Sequence, residues 1–151
     1  MNILILYGSQ TGNAKNMSQE IYSNLEKYNV EIYSLNDIYN LSILNNYNLI
    51  IIMCSTTGNG DFPDNSLKFF KKIKDRTLNK NFLQNVNYTI CGLGDSNYSM
   101  FCFSAKRLQK RFKELNANEV IPLYLMDAVY DDEELLQEYM NKIIDYLDST
   151  R

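Results

Sequence analysis

The stretch Tyr7-Gly8-Ser9-Gln10-Thr11-Gly12-Asn13-Ala14 (residues 7–14) joins an apolar run to a helical pattern. The apolar run at residues 3–6 predicts a buried strand, and apolar residues recur from position 14 at α-helical spacing. A turn of small and hydroxyl-bearing residues before a helix offers free backbone N–H groups and the positive end of the helix dipole, which suits a phosphate. The nucleoside-triphosphate loop and the three-glycine dinucleotide fingerprint are both absent. We therefore predict a loop that wraps one terminal phosphate.

The composition of the 151 residues fits one folded domain over positions 1–151. The net charge of −3 argues against nucleic acid as the main partner. No apolar run approaches the roughly 20 residues that span a bilayer, so we expect a cytoplasmic protein with no membrane anchor. The absence of histidine excludes Ser-His-Asp and Cys-His hydrolase chemistry. Cys54, Cys91 and Cys102 are too few and too widely spaced for a disulfide framework or a zinc site. Cys54 and Cys91 each end an apolar run and are predicted to be small buried side chains.

Predicted strands and helices alternate along the chain. Four apolar stripes at helical spacing predict helices, the second of them starting near Pro63, and residues 34–46 are predicted to be a loop or a short helix. Alternation of this kind predicts a parallel sheet with helices on both faces, and such sheets bind ligands beyond the carboxyl ends of their strands. The strands are predicted at residues 3–7, 30–33, 47–54, 86–92 and 120–126.

Three loops rich in glycine and hydroxyl groups follow the first, third and fourth strands. They are residues 9–14, residues 55–64 (STTGNGDFPD) and residues 92–101 (GLGDSNYSMF). Each loop alone is weak evidence for a binding site, because glycine and serine are ordinary turn formers. Together they are predicted to meet at one edge of the sheet.

With these three loops, the sequence resembles the flavodoxin-like FMN domain of the diflavin reductases over essentially its whole length. The resemblance implies a flavodoxin-like five-stranded sheet of order 2-1-3-4-5. It also implies that the first loop holds the FMN phosphate, that residues 55–59 border the isoalloxazine ring and that Tyr98 stacks on it. The run from Cys91 to Leu115 is most similar to the cytosolic NADPH-dependent diflavin oxidoreductases of iron–sulfur cluster assembly, and Asp127 matches an acidic residue near the flavin. The cofactor-binding residues expected on this basis are Ser9, Gln10, Thr11, Gly12, Asn13, Ala14, Ser55, Thr56, Thr57, Gly58, Asn59, Leu93, Gly94, Asp95, Asn97, Tyr98, Phe101, Cys102 and Asp127.

The sequence departs from the family pattern near the ring. Thr57 stands where microsomal-type reductases carry a second stacking aromatic, and Asp95 stands where they carry Asn. Met126 precedes the acidic residue where Gly is common, and Ala128 replaces a second Asp.

The residues themselves give each site assignment a chemical reason and an alternative. Ser9 and Thr11 can donate hydroxyl hydrogen bonds to phosphate oxygens, and Gly58 can present its carbonyl to flavin N5 without strain at Cβ. Tyr98 can stack on the ring or pack on the core. Asp residues near the ring can oppose an anionic flavin or simply cap turns and helices, and those considered are Asp61, Asp64, Asp95 and Asp127.

The resemblance implies a domain that accepts electrons from an FAD/NADPH reductase module, in cis or in trans, and passes them singly to an acceptor such as an iron–sulfur protein. The chain has no room for the FAD and NADPH modules, so we expect either a domain of a longer reductase or a stand-alone relative. The alternatives are a free flavodoxin-type carrier and a flavin-free binding module on the same fold.

Overall fold

The computed structural model describes residues 1–57 and 60–150. Within that part of the chain, six strands alternate with four α-helices. The strands are β1 (Asn2–Gly8), β2 (Asn29–Ser34), β3 (Leu49–Ser55), β4 (Asn87–Gly94), β5 (Asn118–Glu119) and β6 (Tyr124–Asp127). The helices are α1 (Asn13–Asn24), α2 (Asp64–Ile73), α3 (Phe103–Glu114) and α4 (Asp132–Ser149).

The strands form one parallel sheet in the order β2-β1-β3-β4-β5, which confirms the predicted fold class. β1 and β3 are paired from Ile3 with Leu49 to Gly8 with Cys54. β3 and β4 continue this register to Ser55 opposite Leu93. The carboxyl ends of β1, β3 and β4 therefore lie side by side, and the three loops leave the sheet together.

The predicted fifth strand is divided into two short strands. β5 and β6 both pair in parallel with β4, and residues 120–123 between them are not strand. Pro122 lies in this interval, and proline has no N–H with which to continue the ladder. The segment 34–46, predicted to be a loop or a short helix, contains two 3₁₀ helices, Leu35–Asp37 and Leu41–Asn46.

Each face of the sheet is covered by a pair of helices. α2 and α3 pack on one face through residues such as Phe69 and Leu108, and α1 and α4 pack on the other through Ile21 and Ile143. The side chains of β3 are buried from Leu49 to Cys54, as a strand covered on both faces requires. None of the helices described is long and apolar enough to cross a membrane.

Gly92 allows α3 to approach β4 closely. A Cβ atom at this position would lie 2.7 Å from the Cβ of Ala105 and 3.2 Å from that of Cys102. We expect Gly92→Ala to lower the free energy of unfolding by about 1–3 kcal/mol, because neither contact can relax without moving the backbone. Urea denaturation measures this loss, and Ala105→Gly in the same protein should restore part of it. Unchanged stability in Gly92→Ala would show that the space between α3 and β4 can hold a methyl group at this position.

Candidate functional site

A cleft of about 230 Å³ opens where the three loops meet at the carboxyl edge of the sheet. Such an edge is where doubly wound sheets bind ligands. Residues from all three loops and from the turn after β6 line it. They are Thr11, Asn13, Ser55, Thr56, Thr57, Leu93, Gly94, Asp95, Tyr98, Met100, Phe101, Cys102, Met126, Ala128 and Asp132.

The first loop is shaped by its own hydrogen bonds and by one contact from α2. The hydroxyl oxygen of Ser9 accepts a 2.8 Å hydrogen bond from the amide of Gly12, and the Ser9 amide donates to Asn65 Oδ1 at 2.8 Å. Gly12 has φ +94°, a left-handed conformation that L-residues rarely adopt. The chain thereby turns sharply from β1 into α1.

This turn leaves a cluster of backbone donors. Within residues 1–57 and 60–150, no hydrogen bond is donated by the amides of Gln10, Thr11, Asn13, Ala14 and Lys15. The N-cap residue of α1 is Gly12, which has no side chain to cap the helix. A phosphate monoester accepts hydrogen bonds from unsatisfied amides at the positive end of a helix dipole. This set of donors therefore fits the phosphate of FMN.

The second loop continues from β3 along the floor of the cleft. The Thr56 amide donates to Leu93 O at 3.2 Å, which joins this loop to the end of β4. Thr57 closes a turn: its carbonyl accepts from the Gly60 amide at 2.9 Å, and its hydroxyl accepts from the Asp61 amide at 3.2 Å. Gly58 and Asn59, both predicted to border the flavin, lie outside the described residues.

The third loop is held by two carboxylates. Asp95 Oδ1 accepts a 2.9 Å hydrogen bond from the Asn97 amide. Asp127 Oδ1 accepts from the amides of Ser96 at 3.1 Å and Val129 at 3.3 Å. Hydrogen bonds from Ser96 lower the pKa of the Asp127 carboxyl, so it stays ionised at neutral pH. Asp127 does not line the cleft and acts on its shape through the loop it holds.

Aromatic and sulfur side chains complete the wall formed by the third loop. Tyr98 lines the cleft with 57% of its surface exposed, as expected of a ring available for stacking rather than one packed on the core. Cys102 lies at the base, fully buried, with φ +51°. Burial raises the pKa of its thiol to about 12, so the sulfur is neutral and not a nucleophile.

The structure thus brings most predicted residues to one place. Eleven of them line the cleft, and Ser9, Gly12, Asn97 and Asp127 hold its loops by hydrogen bonds. Gln10 accepts a hydrogen bond from the Asp64 amide at 3.3 Å, and Ala14 is buried in the core. Sequence reasoning missed Asn65, Met100, Ser104 and Asp132. Asn65 and Ser104 act on loops about fifty residues away in sequence, a relation that local patterns do not show.

Charge is unevenly distributed around the cleft. Acidic residues open α4, where the Asp131 carboxylate caps the helix by accepting from the Glu133 and Glu134 amides, and Asp132 reaches the cleft. Most of the Lys and Arg residues are in the segment that contains α2 and α3. One rim of the cleft is therefore acidic.

The flavodoxin family model matches residues 5–141, and the chain belongs to the flavodoxin family. Membership of this family confirms the predicted fold and supports FMN as the cofactor, in agreement with the phosphate donors and the aromatic wall of the cleft.

Among curated proteins, the chain is similar to reductases that are much longer. It is 40% identical to NADPH-dependent diflavin oxidoreductase 1 of Xenopus laevis over 132 residues, which are 86% of this chain and 22% of that protein. It is 40% identical to methionine synthase reductase of Bos taurus over 120 residues, 76% of this chain and 17% of that protein. The chain therefore spans about a fifth of the length of these relatives. The resemblance to the flavodoxin-like region of diflavin reductases is confirmed.

Solved structures of single-domain flavodoxins superpose over nearly the whole chain. Oxidised flavodoxin 2 from Bacillus cereus matches with a TM-score of 0.81 at 23% identity, covering 99% of both chains. This likeness shows that the fold is the same.

Proposed function

We propose that this chain is an FMN-dependent electron-transfer domain. It accepts electrons from an FAD/NADPH reductase module, in cis or in trans, and passes them singly to an acceptor protein, for which an iron–sulfur protein of the cytoplasm is the first candidate. The observation that carries the proposal is the cleft itself, where free amides at the start of α1 and the exposed ring of Tyr98 face one space. Similarity to NADPH-dependent diflavin oxidoreductase 1 supports the choice of electron donor.

Each part of the cleft has a role in this proposal. Bound FMN would supply the redox chemistry, since a flavin can exchange one or two electrons. The amides of the first loop and the hydroxyls of Ser9 and Thr11 bind the phosphate. Ser55 to Thr57 and the third loop enclose the ring, and Tyr98 covers one face of it. Asp95 and Asp132 place negative charge at the cleft, which disfavours an additional negative charge on the bound ring.

A second candidate is a free flavodoxin-type carrier that serves a separate reductase. Like flavodoxin 2 of Bacillus cereus, such a carrier would need only the fold described here. The two candidates share the cofactor and the site and differ only in whether the reductase is covalently attached.

Electron transfer is tested by mixing the FMN-loaded protein with NADPH and the separate FAD domain of a diflavin reductase. We expect the visible absorbance of the bound FMN to decrease with NADPH, and to recover when a one-electron acceptor is added. The same mixture without the FAD domain is the control. FMN that binds but remains oxidised in the complete mixture would contradict the proposed function, and absence of FMN binding would identify a flavin-free module.

Tyr98→Ala is expected to weaken FMN binding by roughly five- to thirtyfold, because aromatic stacking on a flat ring contributes about 1–2 kcal/mol. The fluorescence of the bound flavin should also increase, since the stacked phenol quenches it. Tyr39→Ala is the matched control, because Tyr39 is 82% exposed and does not line the cleft. A fluorescence titration measures both effects. FMN affinity equal to that of the parent would show that Tyr98 does not stack on the ring.

A further inference from the structure

Ser104 links the second and third loops from beneath the cleft. It lies in the first turn of α3, directly after the third loop, and is completely buried. Its amide donates to Thr56 Oγ1 at 3.0 Å. Its hydroxyl oxygen lies 2.6 Å from Thr56 Oγ1 and 2.6 Å from the carbonyl oxygen of Ser55. The thiol of Cys54, the residue before them, also donates to Ser104 Oγ at 3.7 Å. A single side chain thus contacts three consecutive residues at the end of β3 and the start of the second loop.

The protons of this network have one consistent arrangement. The Ser55 carbonyl can only accept, so the one hydroxyl proton of Ser104 is donated to it. The Thr56 hydroxyl therefore donates to Ser104 Oγ while it accepts from the Ser104 amide. Thr56 and Ser104 are joined by two hydrogen bonds of opposite direction, and the hydroxyl proton of each is donated within the network.

The consequence lies in the cleft. Ser55 and Thr56 line it, whereas Ser104 does not. Because both hydroxyl protons are donated within this network, the Thr56 side chain is held in one orientation and has no proton left to donate to a ligand. The network fixes the start of the second loop against the end of the third.

We propose that Ser104 is a positioning residue that sets, through Ser55 and Thr56, the part of the cleft that receives the flavin ring. This inference rests on the proposed function. It predicts an effect on ring binding and none on phosphate binding, because the network contacts the second loop and the phosphate donors are in the first.

The test compares four single variants and the Thr56→Val/Ser104→Ala double variant for binding of FMN and of riboflavin, which lacks the phosphate. Ser104→Ala removes the hydroxyl contacts to Cys54, Ser55 and Thr56. Thr56→Val removes the Thr56 hydroxyl at nearly constant shape, and Thr56→Ser keeps it. Thr89→Val is the matched control. Thr89 Oγ1 lies 2.8 Å from the Tyr139 hydroxyl on the α4 side of β4, so this variant also removes a buried hydrogen bond between two hydroxyl groups. Urea denaturation of each apoprotein establishes that binding is measured on folded protein.

We expect Ser104→Ala and Thr56→Val to raise the dissociation constants for FMN and riboflavin by the same factor, about tenfold. The double variant should bind no more weakly than Ser104→Ala, because both changes remove one network. Thr56→Ser should bind both flavins more tightly than Thr56→Val, and Thr89→Val should stay within twofold of the parent, although it loses stability.

Two results would overturn the inference while leaving the proposed function intact. One is that Ser104→Ala binds FMN as tightly as Thr89→Val does, and the other is that Ser104→Ala loses affinity for FMN but not for riboflavin. A parent protein that binds neither flavin would overturn the proposed function and the inference with it.

Discussion

Gly12→Val and Thr11→Ala are each expected to weaken FMN binding by ten- to a hundredfold and to leave riboflavin binding nearly unchanged. Gly12 has φ +94° with no atom within 4 Å of the position of a Cβ, so the obstacle to valine is the backbone conformation and not a collision. A β-branched residue is strongly disfavoured there, and the loop must open to relieve the strain. Each variant is expected to lose one hydrogen bond to the phosphate, from the Thr11 hydroxyl or from an amide of the opened loop. Loss of one hydrogen bond to a charged group costs about 1.5–3 kcal/mol, which corresponds to the expected decrease in FMN affinity.

Comparison of the two flavins isolates the phosphate, because FMN and riboflavin share the ring. The two dissociation constants are measured by quenching of flavin fluorescence at constant salt. Ser23→Ala is a suitable control, since this exposed serine lies at the far end of α1 and its hydroxyl only bonds back to Gln19 O. Equal losses for FMN and riboflavin would show that the first loop does not hold the phosphate.

Arg111→Met is expected to lower the free energy of unfolding by about 2–4 kcal/mol. Arg111 is only 7% exposed, and its Nε and Nη2 atoms donate to Ile73 O at 2.6 Å and Asp75 O at 2.9 Å. Ile73 is the last residue of α2, so the guanidinium satisfies carbonyl groups that the end of a helix leaves without partners. Hydrogen bonds to a charged donor contribute about 1.5–3 kcal/mol each, and methionine replaces only the apolar part of the side chain.

Arg76→Met provides the control for this prediction. Arg76 and Arg111 approach the same Glu114 carboxylate, at 3.7 Å and 3.5 Å, but the Arg76 side chain is 78% exposed. An exposed ion pair of this kind contributes little, so we expect a change within about 0.5 kcal/mol. Equal losses in the two variants would mean that the pairing with Glu114, and not the contacts to α2, stabilises this region.

The sequence was sufficient to predict the fold and the location of the cleft because both depend on local patterns. The strands were identified by mostly apolar stretches of four to eight residues, and the small-residue loops followed β1, β3 and β4. Parallel register then brings those loops together without further information. The division of the fifth strand was not predicted, because residues 120–126 form a run suitable for a strand apart from Pro122, which lacks an N–H for the ladder.

The supporting contacts of the site could not be predicted in this way. Asn65 reaches Ser9 and Ser104 reaches Thr56 across 56 and 48 residues of sequence. Serine and asparagine at helix starts are common and are expected to cap their own helix. Here they bind a neighbouring loop, which only the packing of α2 and α3 on the sheet determines. Asp127 has a supporting contact of the same kind, since it holds the third loop, and its place near the flavin stays a prediction.

The most direct test of the account is a calorimetric titration of the apoprotein with FMN, with riboflavin as the reference. We predict one binding site per chain, FMN bound more tightly than riboflavin by at least tenfold, and quenching of the flavin fluorescence on binding. Absence of saturable FMN binding by folded protein, or equal affinity for FMN and riboflavin, would contradict the claim that the three loops form an FMN site with its phosphate at the start of α1.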